Sequence, residues 1–353
     1  MATSRKHQEV FGRLVDVLSD ERLSVGDRVM PERDFARKLS VNMSTVRRAY
    51  RRLVLGGIVE KRVGSGTYLF QKPGAPWQER PVNLVLPAHP DSSGNQELER
   101  RFREVVAGLG RRLRVIHVEE EDVPELLASC QEFGLPTILG IDCEPELLMP
   151  HPEFFVQVSS EAYRRGIPCV LCDDTSVIGM LVAHFRGSGR RRTALLGGRP
   201  SRELQDRQQA IWREALGEDY APELFIAADC TGVVGSFAEA AFAAVKASLP
   251  GCRFDSLIAL TDEAMFGALA AIRQSGLDVP GDIAVASIGN TILARYSNPP
   301  VTSINPDIAG HIQAAVEMLD HNRIHPESLE LLRLATPQLV VRESSTPKRN
   351  ATP

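Results

Sequence analysis

"NMSTVRRAYRRL", residues 42–53, sets four arginines (Arg47, Arg48, Arg51 and Arg52) in two pairs four residues apart, with Val46, Ala49, Tyr50 and Leu53 threaded between them. At helical spacing the four apolar positions form one stripe and the arginines stand outside it. Such a face is either merely solvated or built to meet a polyanion. The flanking sequence decides between these readings.

Upstream, His7–Leu18 carries Val10, Phe11, Leu14, Val17 and Leu18 at helical spacing. A second helical pattern opens near Pro31, a residue suited to a first turn, and buries Phe35, Ala36 and Leu39. "SVN" turns the chain, Ser44 is the expected cap of the third helix, and "GG" at 56–57 stops it. "IVEKRVGSGTYLF" then alternates apolar and polar residues on both sides of Gly64-Ser65-Gly66, which predicts a β-hairpin with a glycine tip. Helix, helix, turn, helix, hairpin is the order of a winged helix-turn-helix. The major groove of DNA admits a helix whose first residues reach base edges, and arginine both reads guanine and neutralises phosphate. Lys61 and Arg62 add charge beside a wing tip small enough to enter or skim a minor groove.

Charge is distributed to match. Residues 1–72 hold 15 Lys+Arg against 8 Asp+Glu, a balance of +7, and the remainder holds 26 against 37, a balance of −11. A basic module on an acidic body is the pattern of a polyanion-binding head. "QKPGAPWQERP" (71–81) reads as a linker, which places a DNA-binding domain at 1–70, a body at 82–343 and a loose tail at 344–353. In the body, apolar runs at 82–87, 113–118, 137–142, 167–172, 193–198, 255–260 and 282–288 alternate with amphipathic segments. That alternation predicts α/β architecture with parallel sheets covered on both faces. No run approaches the roughly 18 apolar residues of a membrane span, and the N-terminus has no secretory pattern, so a cytoplasmic protein is expected. Six scattered cysteines offer neither a disulfide framework nor a zinc site, and Cys169 and Cys172 fall in an apolar run that reads as a buried strand.

Residues 21–69 resemble the DNA-binding domain of GntR-type bacterial transcription regulators. The resemblance is carried by Gly26, Glu32-Arg33, Ser44-Thr45-Val46-Arg47, Leu53 and Gly64-Ser65-Gly66-Thr67. It implies DNA contacts from Arg33, Ser44, Thr45, Arg47 and Gly66. Arg48, Arg51, Arg52, Lys61, Arg62 and Ser65 extend this candidate surface, and Met43 stands where such regulators often have a basic residue. Arg51 and Arg52 are expected along the DNA backbone.

The body resembles the effector domain of LacI/GalR-type repressors, itself similar to periplasmic sugar-binding proteins. The resemblance rests on "HFRGSGRRRTALLGG" (184–198), on 255–290, and on "NPPVTSINPDIAGHIQAAVEML" (298–319). It implies two Rossmann-like lobes: 82–187 with 303–322 beside the head, and 190–302 with 328–343 distal. A small-molecule effector, a sugar being one class, would bind in the cleft. Asp173, Arg207, Asp262 and Asn290 are the candidate contacts, with helix capping as the alternative role for Asp173 and Asp262. Gly289 and Gln208 stand where the family commonly places a sugar-gripping aspartate and arginine. Two readings of the body therefore remain open, an effector sensor or a dimerisation scaffold. Either implies a homodimer on a two-fold operator, with the helix around Glu97–Ala107 expected at the interface. No P-loop, zincin or nucleophile-elbow motif is present and no histidines pair at metal spacing, so no catalytic residue, metal or cofactor is expected.

Overall fold

The computed structural model describes residues 2–20, 22–88, 93–141, 143–158, 166–172, 174–197, 202–228, 237–251 and 253–346. It divides into two compact units, Met1–Leu171 with Ala309–Arg333, and Cys172–Ile308 with Leu334–Pro353.

The first unit begins with α1 (Ala2–Ser19), α2 (Glu32–Leu39), α3 (Met43–Leu55) and a hairpin of β1 (Val59–Arg62) and β2 (Gly66–Leu69), paired antiparallel from Val59↔Leu69 to Arg62↔Gly66. The predicted stripes close on one core: Val10, Leu14 and Leu18 of α1, Phe35 and Ala36 of α2, and Val46, Ala49, Tyr50 and Leu53 of α3, with Ile58, Val59 and Leu69. Burying a side chain of this size contributes about 1.5–3 kcal/mol, so a single helix turned outward would unmake the head. After it come β3 (Val82–Pro87), α4 (Ser93–Gly108), β4 (Leu113–Val118), α5 (Val123–Phe133), β5 (Thr137–Leu139), β6 (Phe155–Gln157) and β7 (Cys169–Cys172). Their sheet has the order β13-β7-β6-β5-β3-β4, its β13 (Leu332–Ala335) arriving from the far end of the chain.

The second unit holds α6 (Asp174–Gly187), β8 (Thr193–Gly197), α7 (Arg202–Leu216), β9 (Phe225–Ala227), α8 (Phe237–Ser248), β10 (Ser256–Ala259), α9 (Asp262–Gln274), β11 (Ala284–Ile288), α10 (Ile292–Tyr296), β12 (Thr302–Asn305) and β14 (Gln338–Val340). Its sheet order is β14-β12-β11-β10-β8-β9, parallel except for β14. The seven apolar runs all contain strands, while β6, β9, β12, β13 and β14 lie outside them.

Three boundaries differ from expectation. The chain leaves the first unit after Leu171, so α6 belongs to the second, where Val177, Ile178, Leu181, Val182 and Phe185 join a core with β8 and β10. β12 also lies in the second sheet and β13 in the first, and α11 (Ile308–Ile324) returns the chain at Ile308–Ala309. The tail begins later than 344: Ser344 and Ser345 are buried, with the Ser344 hydroxyl donating to Val285 O (2.7 Å) and accepting from Thr302 N–H (2.9 Å).

The segment 71–81 is a folded strap rather than a free linker. Gln71 is buried, a 3-10 turn spans Trp77–Glu79, and the Trp77 indole N–H donates to Asp320 Oδ1 on α11 at 2.6 Å. The Arg80 guanidinium donates to the carbonyls of Ala75, Phe133 and Gly134, and Arg112 donates to those of Phe70 and Glu79. Backbone carbonyls this well satisfied define a segment with fixed geometry.

Candidate nucleic-acid interface

Helix α3 begins two residues earlier than predicted. Asn42, with extended backbone, is its cap, and its side-chain oxygen accepts from Ser44 N–H at 3.3 Å. Ser44 is therefore not the cap. It sits exposed in the first turn, with Thr45 half-buried and Met43 packed against the head core. The Tyr50 hydroxyl donates to Met30 O, tying α3 to the chain that enters α2. Burial, and secondarily Glu32, push the Tyr50 phenol well above its ordinary range, so it stays a donor.

Glu32 organises the charged face. Its carboxylate accepts from Lys61 Nζ at 2.8 Å and lies 3.7 Å from Arg47 Nε, drawing α2, α3 and the wing together. Arg33 and Arg48 are exposed on the same head. In the wing, Arg62 pairs with Glu60 and lies 4.3 Å over the Tyr68 ring, whose hydroxyl meets Ser65 Oγ at 2.5 Å. Such pairs pre-order long side chains, at modest energy because they are exposed.

Sequence reasoning missed two residues here. Arg28 extends the wing by pairing its backbone with Tyr68, and its guanidinium lies over Gly66, where a Cβ would come 2.9 Å from Nε. Gly66 also has φ +128°, so both conformation and contact require glycine. Val63 is a fully exposed apolar side chain at the wing tip. Arg28 lies in "GDRVMP", which has no periodic signal. Together Arg28, Glu32, Lys61, Arg62 and Gly66 line a groove of about 500 Å³.

Arg51 and Arg52, expected along the DNA backbone, are paired within the protein. Arg51 pairs with Asp122 (3.0 Å) and Glu125 (2.9 Å), and Arg52 pairs with Glu132 (2.5 Å) while lying 4.0 Å over the Phe11 ring. The helix thus has two halves: Ser44, Arg47 and Arg48 face solvent, and the last turn faces α5.

Residues 6–69 match the bacterial regulatory proteins of the gntR family, and residues 182–345 match the periplasmic binding protein-like domain. The chain joins a GntR-family head to a periplasmic-binding-protein-like body. Both are regulatory or binding modules rather than enzymes. Among relatives of this GntR-headed chain, an HTH-type transcriptional regulator of the aml 5′ region of Streptomyces limosus is 31% identical over 198 residues, 54% of each chain. The chain spans about half the length of the curated relatives it matches. Among solved structures, a transcriptional regulator of the LacI family from Sanguibacter keddieii aligns with a TM-score of 0.61 at 22% identity, covering 76% of this chain and all of that one. The lac repressor dimer bound to operator and the anti-inducer ONPF aligns at 0.62 and 19%, covering 76% and 94%. Both share the fold of the body.

Arg207, Asp262 and Asn290 belong to the second unit; Asp173 lies outside the described residues. Asp262 and Asn290 follow adjacent strands β10 and β11 at their carboxyl ends, the usual ligand end of such sheets. Yet Asp262 is buried and accepts from Ser287 Oγ (2.5 Å), Ser303 Oγ (2.9 Å) and Thr291 N–H (2.6 Å). The cap of α9 is Thr261, so Asp262 does not cap the helix; its carboxylate ties the ends of three strands together. Asn290 has φ +52°, its side chain accepts from Arg342, and its carbonyl accepts from Arg295. Arg207 is half-buried on α7. Beside it, the buried Gln208 Oε1 and, one turn on, Trp212 Nε1 have no hydrogen-bond partner among the described residues. Cys169 is buried in β7 as expected, and desolvation pushes its thiol up to about 11. No helix among the described residues is long and apolar enough to cross a membrane.

Proposed function

We propose that this protein is a sequence-specific DNA-binding transcription regulator, a repressor, that acts in the cytoplasm as a homodimer on a two-fold operator. The observation that carries the reading is the outward half of α3, where Ser44, Arg47 and Arg48 stand exposed beside a wing bearing Lys61, Arg62, Ser65 and Gly66, with Arg33 on α2. Replacing Arg47 by alanine weakens operator binding by about 1–3 kcal/mol if it reads a base. Fluorescence anisotropy against genomic operator fragments tests this, and equal affinity of the wild type and the Arg47→Ala/Arg48→Ala variant refutes it.

The body supplies dimerisation and effector control. The exposed face of α4 is occupied by the pairs Arg100–Glu104 and Arg103–Glu99, whereas Phe266, Ile292 and Tyr296 are large exposed apolar residues on the adjacent helices α9 and α10. The second copy is therefore placed against α9 and α10 in addition to α4, and light scattering of the full chain at micromolar concentration tests the dimer. The effector is a small polyhydroxylated molecule that satisfies Gln208 and is contacted by Asp173 and Arg207. One observation favours the scaffold reading: both carboxylate oxygens of Asp262 and the Asn290 Oδ1 already accept hydrogen bonds within the protein. A thermal-shift screen against sugars, polyols and nucleosides separates sensor from scaffold. A ligand acts on operator affinity only to the extent that it binds one arrangement of the body better than another.

A further inference from the structure

The last turn of α3 meets the body through a surface that no DNA-reading role explains. Arg114, on β4, donates to Leu55 O at 2.9 Å and to Val54 O, filling the terminal carbonyls that a helix leaves unpaired. Burial lowers the Arg114 pKa, yet those carbonyls and the negative end of the helix dipole favour its charge. Gly56 has φ −71°, which any residue adopts, so its lack of a side chain has another cause: a Cβ there would fall 2.2 Å from Phe133 Cδ2. At Gly57 a Cβ would meet Arg114 at 2.8 Å. Phe133 touches both the head core and the body core, and its ring lies 5.9 Å from that of Phe11. The head is seated on α5 by shape. Asp122, Glu125 and Glu132 then meet Arg51 and Arg52 across the seam.

We propose that α5 and the turn before it act as an internal stand-in for the DNA backbone, their carboxylates holding Arg51 and Arg52 away from phosphate while the head is seated. This rests on the DNA-binding reading above. The seated head reads bases with the outward half of α3 and the wing but lacks two of its phosphate contacts. Unseating α5 returns both guanidiniums to the DNA. The pairs are partly exposed, so each is weak and exchanges readily with another anion.

The test neutralises the carboxylates in the full chain with Asp122→Asn, Glu125→Gln and Glu132→Gln, leaving the Gly56–Phe133 and Arg114 contacts intact. Affinity for operator DNA is measured across a salt series. The expected result is tighter binding and a salt slope steeper by roughly two per head, roughly four for the dimer, since each phosphate contact contributes about 0.9 to the slope. Arg51→Ala/Arg52→Ala changes wild-type affinity by less than about twofold, and in the neutralised protein it returns affinity and slope to wild-type values, to within about twofold in affinity. Two outcomes overturn the proposal: a gain that persists without the arginines, which is general repulsion relieved, or a large loss from Arg51→Ala/Arg52→Ala in the wild type, which means they already touch DNA. Failure of the DNA-binding reading looks different, because Arg47→Ala would then leave binding unchanged as well.

Discussion

Gly56→Ala probes the seating of the head more directly than any charge change. The backbone at φ −71° and ψ 2° accepts alanine without strain. By itself the substitution would stabilise by about 0.4–1 kcal/mol, through the lower entropy of the unfolded chain. Against that, the new methyl would lie 2.2, 2.3 and 3.1 Å from three atoms of the Phe133 ring, which is clamped between two cores and has no free end to yield. Overpacking of this kind costs about 1–3 kcal/mol, so the net effect is a loss of roughly 1–2 kcal/mol localised at the seam. A chain with two units does not unfold in one step, so a global melting temperature is a poor reporter. Hydrogen exchange of the peptide covering 43–57 reads the local opening free energy instead. The same substitution in a Phe133→Ala background meets no ring and becomes neutral or stabilising. An equal cost in both backgrounds refutes the argument that Phe133 makes position 56 a glycine.

Asp262→Ala removes the acceptor of the buried Ser303 hydroxyl and the Thr291 N–H, the Ser287 hydroxyl keeping Ser303 Oγ at 3.2 Å, and each orphaned donor costs about 1–3 kcal/mol. The second unit therefore loses stability in urea titrations, and a variant as stable as wild type would contradict the structural role assigned here. Gly66→Ala must adopt φ +128° and displace Arg28, so operator affinity falls while the fold of α1 to α3, followed by circular dichroism, is retained. His184, half-buried against Ser345 Oγ at 2.7 Å, has its pKa lowered by desolvation. The unfolded chain then binds its proton more readily than the folded one, so this contribution is complete above the ordinary 6.5 and is lost as pH falls below it. His184→Gln removes that part of the acid sensitivity, and identical stability–pH curves for the two proteins would contradict the assignment.

The sequence by itself determined whatever depends on neighbours a few residues apart. The stripe Val46, Ala49, Tyr50 and Leu53, the glycine tip of the wing and the apolar strand runs are written in local period and turn chemistry, and each lies where those rules put it. The exposed character of Ser44, Arg47 and Arg48 was legible for the same reason. What tertiary structure decided are pairings between distant segments. Arg51 and Arg52 look identical to Arg47 and Arg48 in sequence, yet their acidic partners lie 71 to 80 residues further on. The prolines and glycine of 71–81 announce a loop but not the Asp320 carboxylate, 243 residues from Trp77, that fixes it in place. The apolar stripe of α6 would suit either sheet, and only the packing of Val177 to Phe185 against β8 and β10 assigns it to the second. Asp262 follows a strand as a ligand contact would, and only the approach of Ser287, Thr291 and Ser303 from neighbouring segments turns it into an internal tie. Helical and strand periods encode which face of an element is buried, but the identity of what covers that face is set by the fold as a whole.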